Sequence, residues 1–234
     1  MNRQTFHRLL LPLAGILLLA AATARADVGQ VQYLTGTLTV QKPDGSVRIL
    51  SQKSPVAAGD TLTTQRDTFA QINFVDGSRT TLRPNTQFKI EDFKFSQEKP
   101  ESDNLVFRLV KGGLRTVTGL IGKRGNLNAW QMRTNTATIG IRGSTGEFLE
   151  CSAGCEGTTP TSGGLPPGLY AAVLQDGFAI TAQGVILPVG PGQFALVEPG
   201  KPPVLLPSDP GMGLNNMPFL LGVPGGDDPV CKVQ

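Results

Sequence analysis

Apolar residues recur at every second position in many short stretches: Leu38 and Val40; Ala70, Ile72 and Phe74; Phe88 and Ile90; Leu105, Phe107 and Leu109; Ala137, Ile139 and Ile141; Phe178 and Ile180; Phe194 and Leu196. A period of two puts alternate side chains on one face of an extended strand, so each stretch predicts a strand with these positions turned to a core. Thr, Val and Ile dominate the stretches, Gly and Pro separate them, and no helical stripe persists over three turns beyond the first 26 residues. The pattern predicts an all-β fold: a single domain of short strands and tight hairpins, arranged as a β-sandwich or roll, or solenoid-like.

Asp44-Gly45, Asp76-Gly77 and Asp176-Gly177 each sit between such stretches. Tight turns need positive φ, which Asp and Gly adopt at low cost, so each pair predicts a hairpin. Phe88 and Ile90 share one parity while Phe93 and Phe95 have the other, which predicts a bulge or bend around Glu91-Asp92 if both pairs face the core. Ser96 to Asn104 reads as a charged loop, and Gly154 to Gly168 as a longer polar one. From Pro199 to Pro229 the chain holds eight prolines and six glycines in 31 residues, a density that opposes regular ladders. The expected organisation is a signal peptide over 1–26, a β domain over 27–198 whose folded part ends near Val197, and a Pro/Gly-rich flexible tail over 199–234.

The first 26 residues change the charge picture. A basic head with Arg3 and Arg8, an apolar run from Leu9 to Ala22 and a small-residue site at Ala24-Arg25-Ala26 have the form of a secretory signal. Cleavage after Ala26 predicts a periplasmic or secreted protein without stable membrane insertion. The net charge of +3 comes from 21 basic and 18 acidic residues. Removing Arg3, Arg8 and Arg25 leaves 18 of each, so nothing favours nucleic acid as a partner. His7, the one histidine, leaves as well. No remaining side chain then has an ordinary pKa near neutrality, which excludes Ser-His-Asp and Cys-His catalysis.

In an oxidising compartment Cys151 and Cys155 are placed to close a small loop as a disulfide. Cys231 is left over, either as an intermolecular or alternative bridge or as an unpaired residue in the tail. Three cysteines without histidine need a fourth ligand to hold zinc and do not form paired CxxC knuckles, so no metal or other cofactor is expected. Ser96-Gln97-Glu98-Lys99 and Ser102-Asp103-Asn104 match SxxK and SDN patterns but share one polar loop, whereas in penicillin-binding enzymes those motifs converge from distant segments. Glu147 and Glu150 are the nearest pair for acid-base work on a glycan, yet their spacing on a strand points them to opposite faces. No catalytic residue is therefore assigned. Lys123, Arg124, Trp130 and Arg133 form a candidate binding patch, with Trp130 either a stacking face for a glycan or partner loop, or a residue at the edge of the core.

The order of the segments adds a resemblance. Ala58-Gly59-Asp60-Thr61-Leu62-Thr63-Thr64 is followed by Ala70-Gln71-Ile72-Asn73-Phe74-Val75-Asp76-Gly77-Ser78, Leu82-Arg83-Pro84-Asn85-Thr86 and Leu109-Val110-Lys111-Gly112-Gly113-Leu114. Thr134 to Ser144, containing Ile141-Arg142-Gly143, comes next, and Val173 to Thr181 and Leu187 to Val197 close the series. Over about Val28 to Val197 the chain resembles the FecR domain. The family's founding members regulate iron-siderophore uptake through an inner-membrane protein. Its periplasmic FecR region hears a loaded outer-membrane transporter, and its cytoplasmic segment controls a sigma factor. No cytoplasmic segment precedes the apolar run here. The resemblance accordingly implies an exported, non-enzymatic module that binds an envelope protein or cell-wall glycan; a membrane-anchored regulator of a sigma factor or transport system is the alternative, and a carbohydrate-active enzyme a further one. Gly59, Gly77, Gly112 and Gly143 are read as turn residues, and Asp60 and Asp76 as hydrogen-bond acceptors within their turns. Arg142, in an otherwise apolar strand, needs a carboxylate, which Asp60 or Asp76 is expected to supply unless the arginine faces a ligand.

Overall fold

Alternation along the chain builds two sheets that share one strand. The computed structural model describes residues 26–124, 126, 128–141, 143–151, 155 and 164–214. The expected signal segment up to Arg25, Arg142, most of the loop after Cys155, Cys231 and the chain beyond Leu214 lie outside the described residues.

The first sheet, A, runs in spatial order through β4 (Pro55–Ala57), β1 (Asp27–Leu34), β6 (Ala70–Phe74), β7 (Arg79–Leu82), β9 (Asn104–Val117), β12 (Thr145–Glu150), β13 (Leu169–Gln175), β16 (Phe194–Val197) and β17 (Val204–Leu206). The second, B, runs through β3 (Val47–Leu50), β2 (Leu38–Gln41), β5 (Thr61–Thr64), β8 (Gln87–Lys94), β9, β10 (Trp130–Arg133), β11 (Thr138–Ile141), β14 (Phe178–Ala182) and β15 (Val185–Val189). All described pairings are antiparallel except β9 with β10. The result is the expected all-β fold: one continuous sheet folded into two layers around an apolar core.

Strand β9 makes the fold possible. Its first half, to Lys111, pairs with β8 and β10 in sheet B; from Gly112 it pairs with β7 and β12 in sheet A. The crossing needs backbone at φ +86° at Gly112, where an added Cβ would lie 2.6 Å from the Thr86 Cα. Only glycine meets both conditions without moving the backbone. Thr86 then clamps the bend, since Gly113 N–H donates to Thr86 Oγ1 and the hydroxyl donates to the Gly113 carbonyl, both at 2.9 Å.

The alternating residues of the central strands fill the space between the layers, Leu38, Leu62, Ile72, Phe88, Phe107 and Ile139 among them. Each such side chain contributes about 1.5–3 kcal/mol on burial. The predicted bulge is present: the register of β8 against β9 shifts between Ile90 and Asp92. Phe93 thereby turns inward as Phe88 does and stacks on Phe74 at 5.5 Å between ring centroids. Two of the three Asp-Gly turns close hairpins, β2–β3 and β6–β7.

Three expectations change. Asp176-Gly177 closes no hairpin; it turns the chain from β13 in sheet A to β14 in sheet B, with Asp176 at φ +62° and Gly177 N–H donating to Ser144 Oγ at 2.9 Å. In β16 the inward residues are Ala195 and Val197, while Phe194 and Leu196 pack in a second apolar cluster outside sheet A. The fold also continues past Val197. Strand β17 pairs with β16, and Met212 is fully buried in that second cluster. The prolines did not prevent this because β17 is an edge strand, so the missing N–H groups of the flanking Pro203 and Pro207 cost its ladder nothing.

Candidate functional site

The outer face of sheet A carries the most concentrated buried chemistry among the described residues. Inward-facing Leu114 and Phe148 fix the parity of β9 and β12, so Arg115 and Glu147 emerge on the opposite face. They lie side by side because the register pairs Glu147 with Arg115. Arg83, in the Leu82-Arg83-Pro84-Asn85-Thr86 turn after β7, reaches the same point; its N–H donates to the Gly113 carbonyl at 2.8 Å, fixing the turn to β9. Arg115 Nε and Nη2 donate to Glu147 Oε2 at 2.9 and 2.6 Å, and Arg83 Nη2 pairs with Oε1.

The cluster is closed from outside by the chain's own C-terminal segment. Arg83 Nη1 donates to the Met212 carbonyl at 2.6 Å and Nη2 to that of Gly213 at 3.3 Å, while Arg115 Nη2 donates to the Leu214 carbonyl. Glu147 is fully buried, and Arg83 and Arg115 are 3% and 8% exposed. Desolvation, reinforced by the like charge of Arg115, pulls Arg83 down to about 10, against a smaller opposing effect of Asp209; desolvation also lowers Arg115. Beside the cluster, Leu149, Cys151, Cys155, Tyr170, Ala172 and Met212 form the second apolar core. Cys151 and Cys155 are joined in the expected disulfide.

Glu150 lies on the inner face of the same strand, also fully buried, where the Thr136 hydroxyl donates to it at 2.8 Å. The two glutamates are thus separated by the sheet itself and share no cleft. Ser96, of the SxxK match, accepts the Lys99 N–H at 3.1 Å on its hydroxyl, as part of a surface loop carrying a short 3-10 turn.

Trp130 does not belong to a surface patch. It is fully buried, edge-on to Phe107 at 5.8 Å, because its position on β10 has the inward parity shared with Met132. The neighbouring cations go different ways. Arg124 sits 4.8 Å over the Phe95 ring, donates to the Ser96 carbonyl at 2.7 Å and pairs with Asp103 at 3.3 Å, so it pins the charged loop. Arg133 pairs at 3.4 Å with Glu91 on the outer face of sheet B, and Lys123 is exposed beside Gly143.

Gly59, Gly77, Gly112 and Gly143 all adopt positive φ. Asp60 is fully buried, accepting the Ala57 N–H at 3.0 Å and the Lys42 ammonium at 2.7 Å. Asp76 accepts the Ser78 N–H and hydroxyl at 3.0 and 2.5 Å.

Residues 60–159 match the sequence profile of the family described as FecR protein. Those residues form a FecR domain. The FecR match runs from the start of β5 past the end of β12, so it holds Arg83, Arg115, Glu147 and the bend of β9, whereas the strap that covers them lies beyond it. No curated protein matches the chain. Two crystal structures described as a candidate anti-sigma factor from Parabacteroides distasonis share 11% identity with it at a TM-score of 0.47, covering 64% of this chain and 60% of theirs. The chain therefore spans under two thirds of the length of those proteins. A structure described as a cell surface anchoring domain shares 29% identity over 26% of this chain and 82% of its own, at a TM-score of 0.26.

Proposed function

We propose that this chain is an exported, non-catalytic FecR-domain protein that works as a binding or sensing module in the bacterial cell envelope, engaging an envelope protein or a cell-wall glycan. The observation that carries the reading is the FecR match over residues 60–159, at the centre of both sheets. Family membership points to regulation and sensing. The absence of catalysis is supported by the use made of the two best-placed carboxylates. Glu147 is held by two arginines on one face of the sheet, and Glu150 receives the Thr136 hydroxyl on the other. A glycan-cleaving pair needs both carboxyl groups on one cleft.

Affinity capture with the chain from Asp27 onward, immobilised and exposed to an envelope extract, tests the proposal. A specific envelope protein or glycan is expected in the eluate, and its repeated absence with folded protein would overturn the binding reading. A second reading, a membrane-anchored regulator of a sigma factor, draws on the same family match. The mass of the exported protein separates the two: loss of residues 1–26 supports the released module, and an intact N-terminus supports the anchored one.

A further inference from the structure

The C-terminal strap sits on a site whose binding chemistry is stronger than the strap itself supplies. Met212, Gly213 and Leu214, three consecutive residues, turn their carbonyls toward Arg83 and Arg115. Beneath them one carboxylate, Glu147, faces two guanidiniums, so the buried cluster holds one more positive than negative charge. Against that surplus the strap offers neutral acceptors. Hydrogen bonds from a guanidinium to a carboxylate are roughly twice as strong as bonds between neutral groups, and the planar fork suits a carboxylate's two oxygens.

The strap is also lightly held. Strand β17 has three residues and pairs with β16 along one edge; Val204 and Leu205 are 49% and 44% exposed. Between β17 and the arginines the chain makes a turn closed by Asp209, whose side chain accepts the N–H groups of Gly211 and Met212 at 2.9 and 2.8 Å. Met212 is the strap's deep anchor, packed with Leu149, Tyr170 and the Cys151–Cys155 bridge. An apolar socket therefore lies directly beside a site that favours carboxylate.

We propose that the outer face of sheet A beneath residues 207–214 is a docking groove for an extended acidic segment of a partner protein, with the strap as its intramolecular placeholder. The partner places an apolar side chain in the Met212 socket and, one or two residues on, an Asp or Glu side chain on Arg83 and Arg115. This inference rests on the binding-module reading above and supplies that reading with a face and a partner chemistry.

The test uses the chain from Asp27 onward with a protease site inserted between Pro207 and Ser208 and cut after folding. Two labelled peptide amides copy the strap from Pro210 to Met212 and continue it differently: Pro-Gly-Met-Glu-Glu and Pro-Gly-Met-Gln-Gln. The glutamate peptide is expected to displace the severed segment at about a tenth or less of the concentration the glutamine peptide needs, a difference that Arg115→Gln removes. Equal displacement by both peptides, or by neither, would overturn the proposal. The glutamate and glutamine comparison needs no substitution, so it decides the question even if Arg115→Gln fails to fold. Envelope capture that persists unchanged with Arg115→Gln would uphold the binding module while placing its contact elsewhere, whereas failure of capture with peptide displacement intact would strike the envelope reading alone.

Discussion

The outer faces of the two sheets begin from the same alternation and end in opposite states. On sheet B the outward positions are Thr39, Thr63, Gln87, Lys89, Glu91, Arg108 and Thr138, all half-buried and open to water. On sheet A the outward positions include Thr81, Arg115, Glu147, Leu149, Tyr170 and Ala172, and all are buried. Each face has an ion cluster with one glutamate between two arginines: Glu91 with Arg108 and Arg133 on B, Glu147 with Arg83 and Arg115 on A. The first remains hydrated at the surface. The second is closed by the strap, and that difference in solvent, not in residue type, sets what each is worth.

The largest expected contrast follows directly. Glu147→Gln removes the countercharge from two buried guanidiniums and is expected to destabilise the fold by about 3–5 kcal/mol, as measured by urea unfolding. Glu91→Gln, the same change on sheet B, is expected to cost less than about 1 kcal/mol. Similar costs at the two positions would break the comparison.

Packing gives the next contrast. Met212→Ala empties the socket on sheet A and is expected to cost about 2–5 kcal/mol. Ile186→Ala, at a residue 67% exposed on edge strand β15, is expected to stay within about 0.5 kcal/mol of the parent. A small effect of Met212→Ala would mean that the strap is not part of the folded unit.

The inner face of the fold was readable from sequence and the outer face of sheet A was not. Leu38, Ile72, Phe88, Phe107 and Ile139 announced their strands because one buried face and one wet face produce alternation. The parity break before Phe93 announced the bulge for the same reason. Where both faces are buried the signal fails: in β16, Phe194 and Leu196 outweighed the smaller Ala195 and Val197, although the smaller pair faces the main core. Arg83 stood in a quoted motif and Arg115 in a clear strand, yet neither showed its role, because Glu147 meets them through register between strands far apart in sequence. The proline-rich segment from Pro199 looked unable to pair, and composition carries no sign that an irregular strap uses its carbonyls instead of its N–H groups. Trp130 illustrates the reverse case, since flanking charges suggested a surface patch while its parity with Met132 put it in the core.

The smallest expected effect concerns the exposed hairpin tip of sheet B. Hydrogen bonds from the Ser46 hydroxyl and N–H hold the Asp44 carboxyl below its ordinary value. A depressed carboxylate stabilises the fold above its unfolded pKa, and that contribution is lost as pH falls through the folded value. Asp44→Ala is therefore expected to weaken the fold slightly near neutrality and not in strong acid, as read by thermal unfolding across pH. An equal effect at both extremes would assign the turn's strength to packing instead of charge.

Hydrogen exchange through residues 204–214 tests the central claim, that the C-terminal strap closes the arginine–glutamate cluster on sheet A, most directly. The account predicts slow exchange at the β17 amides paired with β16 and at the Met212 amide held by Asp209, with both accelerated by Glu147→Gln. Exchange at the rate of an unstructured chain in the parent protein, or protection that Glu147→Gln leaves untouched, would contradict it.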